Sequence, residues 1–508
     1  MKPFIIKLRT KNNFYIYDVN TNNFLKVDKV VYKMIDDIYD LSVDAILNKW
    51  RNQFAKNSLL NAITNVKKNI KEEGLFSSFR PKKFKHCFSK KEIKRNLNNT
   101  LTNLCLEITQ QCNMRCSYCS YSGKFPYKRT HNNTWMSFNI AKKAIDFFLT
   151  HSKETERKFI SFYGGEPLLN FSLIKKCINY INEKSDEKIY CGITTNGTLL
   201  NEKILKFLLQ MNKVHITISL DGPKKIHDRY RKFPSGEGTY DLIINNIKKI
   251  KQICQNISSL GLMFNVTIAP PYKLNEQKKY FDSLCKENDY MVNPFHVNTD
   301  ESNLSKGEKI SFKQDFNRQI NNIKKIFRMN LIENKVDSSP FLRKLFSNRY
   351  RKIYKRGIFK SLVDYHYPNG TCVPGWAQLF VDSTGSFFTC EKMTDFYSIG
   401  NINSGFDFKM IFSLLDEYSE ICNMDCLDCW AIRLCHACFV NAKKRGEIDI
   451  EKKRKYCKFF KRNLMRDLIF YLEVLENNPD AFNYMENEIV SVRNAILDNK
   501  LKEKRIDL

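Results

Sequence analysis

The sequence predicts an α/β protein, and three observations carry that prediction. Six strand-like runs alternate with amphipathic helical runs between Leu101 and about Asn298. Ahead of them three strand-like runs are followed by three helical ones, and behind them comes a cysteine-rich tail. Alternation of strand and helix argues for parallel strands joined by right-handed crossovers. Six such units fall short of the eight that close a barrel, so an open, partial (β/α)6 barrel is expected.

In chain order, Phe4 to Arg9, Phe14 to Asp18 and Phe24 to Val27 read as short strands separated by Asn-rich turns. Helical patterns follow over Asp28 to Ile38, Ser42 to about Phe54 behind a Ser cap, and Ser58 to Glu73, which stops at Gly74. These form an expected domain over residues 1–75. Residues 76–100 are polar and basic with few periodic apolar positions, and read as a linker. The barrel covers 101–298, with strands at Leu104 to Ile108, Phe159 to Tyr163, Ile189 to Thr194, Val214 to Ser219, Met263 to Ile268 and Phe295 to Val297. Helical runs such as Phe138 to Leu149, Leu173 to Ile181, Tyr240 to Ile253 and Glu276 to Cys285 lie between them. A basic helical bridge (299–370), a cysteine-rich α+β module (371–460) and a helical end (461–508) complete the chain.

The loop after the first barrel strand holds Cys112, Cys116 and Cys119 in a C-x3-C-x2-C run. Three thiolates within eight residues are one short of the four that close a zinc or iron–sulfur site. A cubane so held keeps one iron open to a further ligand. Closed zinc sites favour four ligands and paired C-x2-C spacing, which this run lacks. A disulfide reading needs an oxidising compartment, and the N-terminus has no signal-peptide pattern.

Thr109-Gln110-Gln111-Cys112-Asn113 followed by Cys116 and Tyr118-Cys119 closely resembles the radical S-adenosylmethionine enzymes. The resemblance implies a [4Fe–4S] cluster on Cys112, Cys116 and Cys119, with S-adenosylmethionine chelating the open iron through its amino and carboxylate groups. It also places Tyr118 against the adenine. Gly164-Gly165-Glu166-Pro167, after the second strand, resembles the element that binds the methionine amino group in this family. Asn196 at the end of the third strand, and Ser219 and Asp221 at the end of the fourth, are implied cofactor contacts; the same residue types are also ordinary turn formers. Arg229, in the run His227 to Arg231, is the implied partner of the cofactor carboxylate, with a solvated loop as the plain alternative.

Cys372, Gly385 and Cys390 stand as C-x12-G-x4-C around a turn at Asp382 to Gly385, followed by Cys426-x2-Cys429-x5-Cys435-x2-Cys438 and then Cys457. Two C-x2-C pairs alone would suggest zinc. The full order resembles the SPASM extension, which carries one or two auxiliary [4Fe–4S] clusters. By position, Cys426, Cys429, Cys435 and Cys457 would hold one, and Cys372, Cys390 and Cys438 the other. The last spacing is x2 where the family usually has x3, and no cysteine lies between Cys372 and Cys390. That second set is therefore expected either to leave an iron open or to borrow Cys422. Glu391, directly after a ligand position, is a candidate general base. Cys87, Cys105, Cys177, Cys191, Cys254 and Cys285 read as inert thiols.

At 508 residues the chain can build two or three cores. Its 17 cysteines without a secretory signal point to the cytoplasm, and no apolar run spans a bilayer. The formal charge of +30 suits an acidic peptide partner, although the lysines are spread evenly rather than gathered in a nucleic-acid-binding tract. The N-terminal strands and helices resemble the winged-helix-like element that binds leader peptides in enzymes modifying ribosomal peptides. The combined resemblance implies a maturase of a ribosomal precursor peptide, forming a cross-link such as a Cys thioether and drawing electrons from a flavodoxin or ferredoxin. The alternatives are a sulfatase (formylglycine-forming) maturase, a carbon–carbon cross-linking enzyme and, from another class, a non-catalytic iron–sulfur or zinc regulator that binds nucleic acid.

Overall fold

The computed structural model describes residues 2–119, 121–123, 130–185, 189–210, 214–253, 261–287, 290–297 and 305–486. Cys254 and the chain after residue 486, the last part of the expected C-terminal helical end, lie outside them. β1 (Ile5–Arg9), β2 (Phe14–Asp18) and β3 (Asn23–Val27) form an antiparallel meander. α1 (Lys29–Met34), α2 (Val43–Trp50) and α3 (Lys56–Glu72) follow, the first two capped by the side chains of Asp28 and Ser42. The two faces of β2 explain why nearly all of it is buried. Ile16 packs with Met34, Ile46, Ile63 and Val66 of the helices, while Tyr15 and Tyr17 join the main core. This small sheet is thus held between its own helices and the rest of the chain. Glu476 accepts hydrogen bonds from Thr10 and Tyr15 hydroxyls and the Asn13 amide, and Arg433 donates to the carbonyls of Val19 and Asn20.

The segment expected as a linker is structured. β4 (Lys83–Phe84) pairs with residues Tyr365–His366, and α4 (Lys90–Asn99) starts at a capping box of Ser89 and Glu92. Its buried residues, Ile93 and Leu97, are four apart. Two apolar positions in ten are too few to register as periodicity, and the cap and that one buried edge define the helix instead.

β5 (Asn103–Thr109), β6 (Lys158–Gly164), β7 (Ile189–Thr195), β8 (Val214–Ser219), β9 (Met263–Ile268) and β10 (Met291–His296) are parallel neighbours. The chain returns through α5 (Phe138–Thr150), α6 (Phe171–Lys184), α7 (Glu202–Leu209), α8 (Lys224–Tyr230), α9 (Tyr240–Ile253) and α10 (Leu274–Lys286). Along β6 to β8, Ile160, Phe162, Ile193, Ile216 and Ile218 are buried in the main core, and Ser161, Tyr163, Thr194, Thr217 and Ser219 alternate with them, half-buried on the other face. β10 begins four residues earlier than the sequence pattern suggests, because Pro294 interrupts its run. A proline is tolerated there because β10 ends the sheet.

The bridge consists of α11 (Lys306–Ile332) and α12 (Pro340–Tyr354). After β11 (Tyr365–His366), β12 (Leu379–Val381) pairs in parallel with β5, and β13 (Phe387–Phe388) pairs antiparallel with β12. The sheet therefore has eight strands, in the order β10-β9-β8-β7-β6-β5-β12-β13. The cysteine-bearing hairpin covers what would otherwise be the open edge of β5. Two short hairpin strands, β14 (Gly400–Asn401) and β15 (Gly405–Phe406), precede α13 (Phe408–Asp425) and α14 (Phe439–Ala442). A further pair, β16 (Lys443–Lys444) and β17 (Glu447–Ile448), leads to α15 (Ile450–Leu475). Among the described residues no helix is long and apolar enough to cross a membrane.

Candidate metal and cofactor site

Cys112, Cys116 and Cys119 occupy the loop that leaves β5 at the C-terminal end of the parallel sheet. The loop is pinned to the end of α8 and the segment after it, where Ser117 N–H donates to Tyr230 O at 3.2 Å and Arg115 N–H to Lys232 O at 2.8 Å. Cys112 Sγ accepts from Met114 N–H and Cys119 Sγ from Tyr121 N–H, each at 3.4 Å. Burial pushes the Cys112 thiol up to about 12 and Cys119 to about 11, and raises Cys116 too. The three sulfurs lie within electrostatic reach of one another. Bare thiols in so buried a place would keep their protons, and a bound cation reverses that preference by binding the thiolate. Among the described residues no three Cys, His or carboxylate side chains converge on a point that would hold a single ion. A cubane makes a different demand, because each thiolate binds a separate iron. One buried and two half-buried soft donors, the latter two accepting backbone N–H bonds, suit such a cluster.

The glycine pair after β6 serves this loop directly. Gly164 has φ +140°, and a Cβ on it would lie 2.1 Å from Thr109 O; a Cβ on Gly165 would lie 2.2 Å from Gln111 O. Only glycine lets β6 come this close to the loop. The N–H groups of Gly165 and Glu166 are spent on those carbonyls, each at 2.9 Å. Gly165→Ala should therefore strain the loop by on the order of 2–4 kcal/mol. Anaerobically reconstituted G165A protein should retain visibly less iron per chain than the wild type.

Glu166 is fully buried and serves the scaffold. Its Oε1 accepts from Leu168 N–H and the Thr195 hydroxyl, and its Oε2 from Asn196 N–H at 2.6 Å. Pro167 starts the short 3-10 turn that follows. The Asn196 amide donates to Asn113 Oδ1 at 2.8 Å and lies 3.9 Å from Cys112 Sγ, bracing the cysteine loop against the end of β7. Ser219 stands half-buried at the end of β8.

Two arginines of the run His227 to Arg231 have different partners. Arg229 donates to Pro271 O at 3.1 Å. Arg231 is 7% exposed and donates through Nη1 to the Tyr118 hydroxyl at 2.7 Å, and that hydroxyl bonds Asp221 Oδ2. The helix ends at Tyr230 and Arg231 leaves it in extended conformation. The sequence resemblance marks Arg229, and Arg231 is the more buried of the two. Asp221 Oδ1 accepts from Thr267 N–H at 3.0 Å. Among the described residues Arg231 Nε is buried without a hydrogen-bond partner. His227, buried and depressed well below its ordinary range by burial and then by Arg231, is neutral; its Nδ1 accepts from Asp221 N–H and its Nε2 bonds the Thr239 hydroxyl. Tyr118, expected against the adenine, has its hydroxyl held by Asp221 and Arg231 and its ring centroid 5.5 Å from that of Tyr230.

The tail cysteines also gather. Cys426, Cys429, Cys435 and Cys457 lie within electrostatic reach of one another. A hydrogen bond from the Cys422 thiol, then the Lys453 ammonium, lower the Cys426 thiol against the effect of burial. Cys422, the residue the other set could borrow, stands in the last turn of α13, one turn before Cys426. Gly370 meets the backbone of His436 and Ala437, where a Cβ would lie 2.2 Å from His436 C, so the segments bearing Cys372 and Cys438 adjoin. Glu391 follows the buried Cys390, accepts from the Gln378 amide at 2.9 Å and lies within electrostatic reach of Tyr121 in the first cysteine loop. Cys105, Cys177, Cys191 and Cys285 are buried, Cys177 within electrostatic reach of Cys191, and Cys87 is half-buried.

Residues 106–274 match the family model described as the Radical SAM superfamily. The radical SAM cyclopropyl synthase TigE of Paramaledivibacter caminithermalis is 26% identical over 465 residues, which are 86% of this chain and 89% of that one. A cysteine-type anaerobic sulfatase-maturating enzyme of Clostridium perfringens is 26% identical over 379 residues, 69% of this chain and 91% of its own. The solved structure of native anSMEcpe with bound AdoMet and Cp18Cys peptide shares the fold at a TM-score of 0.53 and 20% identity, over 76% of this chain and 99% of that one.

Proposed function

We propose, taking as premise that this chain is a radical S-adenosylmethionine enzyme, that it matures a ribosomally made peptide in the cytoplasm by closing a cross-link on it. Cys112, Cys116 and Cys119 would hold the [4Fe–4S] cluster. Cys426, Cys429, Cys435 and Cys457, and separately Cys372, Cys390 and Cys438, would hold the auxiliary clusters. When bound, cluster and S-adenosylmethionine supply a 5′-deoxyadenosyl radical able to take a hydrogen atom from a peptide carbon.

The observation that carries this reading is the joining of two cysteine arrays on one sheet. β5 delivers the first loop and pairs with β12 of the hairpin that bears Cys372 and Cys390. The protein's own residues then have separable tasks. Arg231, with Nε left over and its other end fixed by Tyr118, offers a buried positive charge to a carboxylate such as that of the methionine moiety. Gly164, Gly165 and Asn196 fix the loop, and Ser219 and Asp221 border the place where the nucleoside would lie. Glu391 stands between the arrays, where it can accept the proton of a substrate thiol. The outer edge of β3, the last strand of its sheet, is suited to take a leader peptide as an added strand, which would hold the core peptide near the barrel mouth.

The test is anaerobic incubation of the reconstituted, reduced protein with S-adenosylmethionine and the short Cys-rich peptide encoded beside its gene. The expected product has lost two hydrogen atoms and one alkylatable thiol, and 5′-deoxyadenosine accumulates. Unchanged peptide mass with cofactor cleavage would defeat the cross-linking claim. A second reading, carbon–carbon bond formation, is favoured by the full-length likeness to the cyclopropyl synthase; it predicts the same mass change with every thiol still alkylatable.

A further inference from the structure

Lys453 sits in the first turn of α15, one turn before Cys457, so the two side chains leave the same helix face. It is 2% exposed, and its Nζ donates to Cys426 Sγ at 3.1 Å. Cys422 and Cys457 are within its electrostatic reach, and the Tyr418 ring centroid is 6.0 Å away. The acidic groups nearby are engaged elsewhere: Asp425 and Glu451 pair with Arg454, and Asp449 with Lys444. Among the described residues no carboxylate pairs with Lys453. A buried ammonium is costly unless negative charge lies beside it. Among the described residues the hydrogen-bond acceptor of its Nζ is a cysteine sulfur, while the Asp425 carboxylate, already paired with Arg454, acts on it only from within electrostatic reach.

A cubane on four thiolates supplies negative charge, because the assembly is anionic in both oxidation states and gains one further negative charge on reduction. A fixed cation in contact with a ligand sulfur stabilises the more negative state more strongly. Net charge and hydrogen bonds to the sulfurs are the levers a protein has on such a centre. Resting on the reading that Cys426, Cys429, Cys435 and Cys457 hold an auxiliary cluster, we propose that Lys453 is a positioning residue that keeps this centre's reduction potential high through its bond to Cys426 Sγ. The centre is thereby suited to accept the single electron released when a substrate radical closes a bond to a thiol and the thiol proton leaves. Lys453 itself makes and breaks no bond.

The test uses the full chain with Cys112, Cys116 and Cys119 replaced by Ala, so that only auxiliary centres titrate, with redox equilibrium followed by electron paramagnetic resonance. At the parent's midpoint potential, Lys453→Met should lower the reduced-to-oxidised ratio of one centre about tenfold, equivalent to about 59 mV for a one-electron couple. Lys453→Arg should hold the ratio within about twofold, since the charge is kept. An unchanged ratio in K453M at full iron content would overturn the proposal. If K453M loses the centre's iron, K453R decides: full iron with the parent's ratio supports a charge role, and iron loss in both variants assigns Lys453 to packing. A parent protein free of auxiliary iron would remove the cluster reading itself, a failure distinct from the other outcomes.

Discussion

Replacing Cys112, Cys116 and Cys119 together by Ala should abolish 5′-deoxyadenosine formation and remove about four irons per chain, while leaving any auxiliary iron in place. The argument is one of charge. Cys116 is buried and Cys112 and Cys119 are half-buried, and loss of solvation raises all three thiols above their ordinary value. An iron core is what would make thiolates the stable form there, and two backbone N–H groups already face those sulfurs. The set Cys426, Cys429, Cys435 and Cys457 is carried by other segments and has its own cation in Lys453, so its iron should survive. Iron analysis alongside chromatography of the nucleoside checks both halves. Persistent 5′-deoxyadenosine from the triple variant would place the chemistry elsewhere.

Arg231→Met should cost about 2–3 kcal/mol in binding of S-adenosylmethionine, roughly a 30- to 150-fold weakening, because a charge-assisted bond to a buried guanidinium is lost. Arg229→Met should change affinity less than about threefold, since its guanidinium makes a solvent-exposed hydrogen bond to the Pro271 carbonyl. Equilibrium binding of the cofactor to the reconstituted, unreduced protein measures both. The contrast between two arginines two residues apart separates a specific contact from general charge loss. Cluster content should stay at the wild-type level in each variant, because neither side chain donates to a cysteine sulfur among the described contacts.

Much of this architecture is legible in the sequence because its signals are strong and local. The six parallel strands show themselves by β-branched runs bounded by turn residues, and the cysteine loop by its spacing directly after the first of them. What was not legible depends on contacts distant in sequence. α4 buries only Ile93 and Leu97, so its periodicity is too thin to detect. β12 is three residues long and buried throughout, giving no alternation to mark it as a continuation of the barrel sheet. Glu166 looks like a ligand in a motif, yet the fold surrounds its carboxylate with donors from β7. Arg229 and Arg231 are equivalent as letters, and Arg231, past the helix end at Tyr230, is the more buried of the two. The role of Lys453 appears only once α13 and α15 bring Cys426 to it.

The most direct measurement is electron–nuclear double resonance on the anaerobically reduced wild-type protein with S-adenosylmethionine labelled with nitrogen-15 at its amino group. The account predicts a hyperfine coupling between that nitrogen and the cluster, absent when Cys112, Cys116 and Cys119 are Ala. A cluster signal in the wild type that shows no coupling to the bound, labelled nucleotide would contradict it.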